Sequence, residues 1–112
     1  MGELIPRLPV TQEAVALAVG FARASRPANS EAPDEVKKYV RFGAGPRGSQ
    51  ALVLAAKARA ALLGESVADV GDIVALALPA LRHRLVLSYR ADADGVTDAD
   101  VVQALKRKLR VS

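Results

Sequence analysis

The sequence predicts an all-α fold, a small bundle of four to five helices with at most one short β pairing. Apolar residues recur at three- and four-residue spacing in separate segments, punctuated by Thr and Asp caps, glycines and prolines. The 112 residues are 51% hydrophobic and 25% charged, which suits one domain with its own core and is too short for two. The apolar residues are mostly Ala, Leu and Val, with two Phe, two Tyr and no Trp, so the helices must pack closely. Residues 1–112 are read as a single helical domain in which 1–9 form a lead-in.

The first helix follows Val10-Thr11. Ala14, Leu17, Ala18, Phe21 and Ala22 lie on one helical face, and Thr11 can cap its start. That places Val10 and Val15 at the two positions of a hydrophobic staple. The helix should end near Ser25, because Arg26 precedes Pro27 and is pushed out of the α region. A polar loop, "RPANSEAP", follows, and "PDEVKKYV" starts a short helix with Pro33 in its first turn.

The run from about Pro46 to Leu63 is apolar nearly all round, interrupted by Gln50, Lys57 and Arg59, and reads as the central helix. Gly64 stands where a C-terminal cap is expected, and Lys57 and Arg59 read as rim residues. Asp69 and Asp72 form a capping-box-like pair ahead of the stripe Ile73, Leu76, Ala77, Ala80 and Leu81. Pro79 should kink or restart that helix. Arg84–Tyr89 is a short apolar run compatible with a strand. The last helix repeats the grammar of the first, with Val96-Thr97 before it and Val101, Leu105 and Leu109 facing inward.

Composition also excludes functions. With no cysteine there is neither a disulfide framework nor a Cys-based zinc motif. No apolar run reaches the roughly 18 residues of a membrane span and no signal-peptide pattern opens the chain, so the expectation is a cytoplasmic protein. Sixteen Lys and Arg against twelve Asp and Glu give a net charge of +4. Lys106, Arg107, Lys108 and Arg110 are dense enough to suggest nucleic acid, but they also complement the negative end of a helix dipole. His83, flanked by Arg82 and Arg84, is the only histidine and reads as a packed or capping residue rather than a metal ligand. No catalytic Ser/His/Asp set or carboxylate pair stands out.

The segment "FGAGPRGSQ" raises a sharper question. "GAGPRG" matches G-x-G-x-x-G, yet no second parallel strand follows and Pro46 sits inside the turn. It also resembles a truncated phosphate loop, but Ser49 stands where the lysine of that motif belongs. What remains is Arg47, a cation at the positive pole of a helix, where it is unfavourable unless an anion joins it. The alternative is that Arg47 bends away to pair with Asp34 or Glu35.

Taken together, "LPVTQEAVALAVGFARASRP", "VRFGAGPRGSQALVLAAKARAALL", "DIVALALPALRHRLVLS" and "GVTDADVVQAL" resemble the C-terminal lid of MoxR-type AAA+ ATPases. The resemblance implies that Arg47 is the sensor-2 residue, reaching the γ-phosphate of ATP. Gly43, Gly45 and Pro46 would shape the turn that aims it. It further implies that ATP with Mg is held mainly by a core domain of the same chain, upstream of this lid. Catalysis is not expected from these residues alone, and the parent would hydrolyse ATP as a hexamer or other oligomer in chaperone-like maturation of a client protein. One departure is Gly48, where the family often has Ala, and this is expected to loosen the helix start. The chain is read as an excised lid. Readings of another class are a small DNA-binding module using the basic C-terminal helix, and a helical protein-interaction scaffold.

Overall fold

The computed structural model describes residues 8–111, so the first seven residues of the lead-in and Ser112 lie outside the described residues. In chain order the elements are α1 (Gln12–Ala24), α2 (Asp34–Tyr39), β1 (Val40–Phe42), α3 (Gly45–Leu62), α4 (Val70–Leu81), β2 (Val86–Leu87), α5 (Tyr89–Asp94) and α6 (Asp98–Lys108). Four long helices make the bundle, and α2 and α5 are six-residue additions at its side.

Helix α3 packs chiefly on α4 and α1. Its buried stripe is Gly48, Leu52, Ala56 and Ala60, one small or branched residue every fourth position. Small side chains on that ridge let neighbouring helices approach closely. Phe21, Leu52, Ile73, Leu81 and Leu105, from four different helices, are all fully buried together. Each contributes about 1.5–3 kcal/mol by leaving water. The all-round apolar character of α3 overstates its burial, however: Leu54 is 53% exposed and Leu62 76%.

The caps anticipated from sequence are present. The Thr11 side chain accepts a bond from the Ala14 N–H at 3.1 Å. Thr97 and Asp100 form a reciprocal capping box on α6, and Asp69 and Asp72 one on α4. Helix α3 ends in a Schellman arrangement, with Gly64 N–H bonded to Ala61 C=O and Glu65 N–H to Ala60 C=O. Val15 is 38% exposed and lines a groove with Val53 and Leu54. A parallel bridge from Val10 to Ala68 ties the entry of α1 to the α3–α4 connection. Pro33 falls at the cap of α2 rather than inside it. Pro79 does not restart α4, which runs two residues past it to Leu81. A proline this near the end of a helix removes one bond from a turn that is already finishing.

The short β pairing joins β1 and β2 antiparallel, Val40 opposite Leu87 and Phe42 opposite Val86, with an irregularity between them. The Ser88 N–H extends it by bonding the Tyr39 carbonyl at 2.8 Å. The basic C-terminal helix is partly neutralised within the fold. Arg107 pairs with Glu35 at 2.8 Å, and Lys108 lies 3.8 Å from Glu31. Arg110 ends α6 with a left-handed φ of 59°, a position usually held by glycine.

Arg59 is more than a rim residue. Its guanidinium bonds the carboxylate of Asp72, which is 1% exposed, and so joins α3 to the first turn of α4. Burial alone would raise the Asp72 pKa, but the bond from the Asp69 backbone N–H and the Arg59 guanidinium outweigh it and hold it below the ordinary carboxylate value. Desolvation, then the charges of Asp72 and Asp69, hold the neighbouring Glu65 carboxyl above its ordinary value. Stability from Asp72 is therefore complete above its unfolded pKa and lost as pH falls through the folded one. Asp72→Asn should lower unfolding free energy by about 1–3 kcal/mol at pH 7. The gap to the parent, measured by urea denaturation, should close as pH falls through the folded Asp72 pKa. A gap that stays constant down to pH 2 would contradict the assignment.

Candidate functional site

The turn between β1 and α3 is closely packed at its first residue. Gly43 lies against the end of α1 so closely that an added Cβ would stand 2.6 Å from the Ser25 carbonyl oxygen and 2.9 Å from the Arg26 nitrogen. Both are backbone atoms, so no side chain can swing away to make room. Gly45 takes a φ of +69°, in the left-handed region that favours glycine. Pro46 follows within the first turn of α3, where its missing N–H is no loss.

Ser25 locks this approach. It is fully buried, its hydroxyl donates to the Ala22 carbonyl at 2.7 Å, and it accepts the Ala44 N–H at 2.9 Å. Ala44 is the N-cap of α3 and has no side chain able to cap, so the serine of α1 bonds the entrance of another helix. Nothing in the sequence pattern marks this pairing, because the two residues are 19 positions apart and Ser25 reads as an ordinary helix-ending serine.

Gly48 reverses the expectation attached to it. It is buried, and an added Cβ would lie 2.4 Å from the Cβ of Ala44, with Leu81 and Arg84 close behind. The glycine does not slacken the helix start. It admits Ala44 against the first turn.

This turn presents Arg47 as the third residue of α3, exposed, with no acidic residue in that first turn. The pairing with Asp34 or Glu35 does not form: Glu35 is bonded to Arg107, and Arg47 has no ion pair among the described residues. Two clefts flank the turn. One, of about 320 Å³, is lined by Val19, Ala22, Arg23, Arg26, Gly45, Pro46 and Ser49. The other, of about 330 Å³, includes Arg26, Arg41, Phe42, Gly43 and Gly45, with the Arg41 guanidinium 5.4 Å from the centre of the Phe42 ring. Neither lining contains a carboxylate. Arg23, Arg26 and Arg41 make these clefts electropositive and Arg47 lines neither of them; a helix N-terminus beside guanidinium groups suits a phosphate. Among the described residues the linings hold no histidine, and the Ser49 hydroxyl donates to the Pro46 carbonyl. His83 is exposed after the end of α4, neither packed nor capping as expected, and no group of metal-binding side chains occurs among the described residues.

The family model for the AAA lid domain matches residues 32–105, from the loop before α2 to the interior of α6. The chain belongs to the AAA lid domain family. Among relatives, Chaperone MoxR1 of Mycobacterium tuberculosis (strain ATCC 25618 / H37Rv) is 38% identical over 69 residues, which are 62% of this chain and 18% of that protein. This agrees with the MoxR-type resemblance carried by "GAGPRGSQ". The crystal structure of a candidate ATPase from Cytophaga hutchinsonii ATCC 33406 superposes with a TM-score of 0.86 at 24% identity, over 95% of this chain and 32% of that one. That likeness establishes the lid fold. The chain thus spans about a fifth of the curated relative and a third of the solved one.

The lid's turn makes a ranked prediction for thermal or urea unfolding. Gly43→Ala should destabilise by about 1–3 kcal/mol, because the backbone of α1 must move. Gly45→Ala should cost about 1–2 kcal/mol from its φ alone. Gly48→Ala should also destabilise, although alanine is the better helix former by up to about 1 kcal/mol. A stabilised Gly48→Ala protein would show that the contact with Ala44 yields easily.

Proposed function

We propose that this domain is the sensor-2 lid of a MoxR-type AAA+ ATPase and that Arg47 contacts the γ-phosphate of bound ATP. The observation that carries the reading is Arg47 itself. It is exposed and without an ion pair among the described residues, at the positive end of an 18-residue helix, on a turn held by close packing. An isolated cation there is electrostatically unfavourable, and a phosphate reverses the sign of the interaction.

ATP supplies the scissile phosphoanhydride, with Mg and the catalytic groups provided by a core domain elsewhere in the polypeptide. Arg47 adds a planar fork of donors toward the terminal phosphate, and Gly43, Gly45 and Pro46 set the direction from which it arrives. Because the contact exists only with the γ-phosphate in place, its loss on hydrolysis releases the lid and turns chemistry into domain motion. Exposed apolar side chains on α1 and α3, Val15, Val19 and Leu54 among them, are consistent with a domain that packs against further protein in its assembly. An oligomeric, cytoplasmic ATPase acting on a client protein completes the reading.

The test is Arg47→Ala in the ATPase that carries this lid. Loss of a charge-assisted phosphate contact should lower kcat or ATP affinity by about 10- to 100-fold. Arg47→Lys should recover only part of it, since the fork geometry is lost. Steady-state hydrolysis and ATP affinity both unchanged in Arg47→Ala would overturn the role.

A further inference from the structure

We propose that Ser25 is a positioning residue for Arg47, a latch through which the end of α1 sets where the sensor arginine points; this rests on the sensor-2 reading above. Ser25 is fully buried, so it cannot touch a nucleotide, and any influence on a phosphate must pass through its neighbours. Those neighbours are specific. The hydroxyl gives its one proton to the Ala22 carbonyl and accepts the N–H of Ala44, so a single atom joins the last turn of α1 to the first residue of the α3 entrance.

The backbone packing has the same direction. Gly43 rests on the Ser25 carbonyl and the Arg26 nitrogen, so the turn is pinned on both sides of the Gly43–Ala44 peptide. Arg47 follows three residues after Ala44, on a helix that cannot cap itself there. Gly45, between them, has a conformation with no side chain to restrain it and no heavy atom within 4 Å of its Cβ direction. That glycine has little steric resistance to rotation, but the Ala44 Cβ also lies against Gly48, so holding Ala44 in place holds the first turn of α3 across Gly45. Reactions that depend on positioning can lose about a hundredfold in rate for a misplacement near 1 Å. A latch at this point governs such a displacement without touching the ligand.

A double-mutant cycle on steady-state hydrolysis by the ATPase carrying this lid distinguishes positioning from general stability. Ser25→Ala should lower kcat about 3- to 30-fold in the parent, with a smaller change in KM for ATP, and change little in an Arg47→Ala background. Equal losses in both backgrounds would mean that Ser25 only supports the fold and would overturn the proposal. A silent Ser25→Ala beside a costly Arg47→Ala would overturn the latch while leaving the sensor reading intact. A silent Arg47→Ala would overturn the sensor reading and the latch with it. Ser25→Cys, slightly larger and only a weak donor and acceptor, replaces Ser25→Ala in the cycle if the alanine variant does not fold. In the 112-residue chain, Ser25→Cys should speed amide exchange at Ala44 selectively. Unchanged exchange there would show that the bond does not restrain the turn.

Discussion

The structure depends on the closeness with which one peptide of the turn lies on the end of α1. With Gly43 in van der Waals contact with the Ser25 carbonyl and the Ser25 hydroxyl bonded to Ala44, the start of α3 is fixed by α1 rather than by its own sequence. Several other features are arranged around this contact. The residues just ahead of it, Val40–Phe42, are paired with Val86–Leu87, which holds the incoming chain to the segment leaving α4. Gly48 lets Ala44 settle against the helix it precedes. At the other end of α3, Arg59 is bonded to buried Asp72, so both ends of that helix are joined to a neighbour by polar contacts. Between those ends the attachment is apolar and made through small residues.

This distribution of polar and apolar contacts explains how a core with few large side chains holds a defined geometry. Alanine-rich interfaces bring helices near one another but do little to stop them rotating or shifting in register. Directional bonds between elements, from Ala44 to Ser25 and from Arg59 to Asp72, supply the missing specificity. Each contributes on the order of 1 kcal/mol net, yet leaving a buried partner unpaired costs more than making the bond gains. The ion pair also sets a limit in acid. Asp72 remains ionised below the ordinary carboxylate range because its partners outweigh its burial, whereas neighbouring Glu65 takes up a proton earlier.

Much of this was legible in the sequence where the cause is local. Thr11, Asp69 and Thr97 cap helices because their side chains reach an N–H three residues on, and Gly64 ends α3 by bonds within one turn. Periodicity found the inward faces of α1, α4 and α6. What it could not find were relations across the fold. Ser25 and Ala44, Arg59 and Asp72, and Arg107 and Glu35 meet only after the helices pack. The α5 helix escaped notice because six residues, three of them charged, carry no usable period. Gly48 was misjudged for the same reason: propensity describes an isolated helix, and the atom that requires a glycine is the Ala44 Cβ at its entrance. The odd placement of Arg47 was visible from the start, because a cation at the positive end of a helix is anomalous in one dimension.

The length of α3 has a mechanical consequence. Eighteen residues at 1.5 Å each make a rod of about 27 Å. The turn grips one end of that rod, and Leu62 and Leu63 stand exposed at the other. Each degree of tilt about the turn would carry the far end by about half an ångström along a 27 Å arm. Because Arg59, one turn before that tip, is bonded to buried Asp72, any such tilt must carry the start of α4 with it.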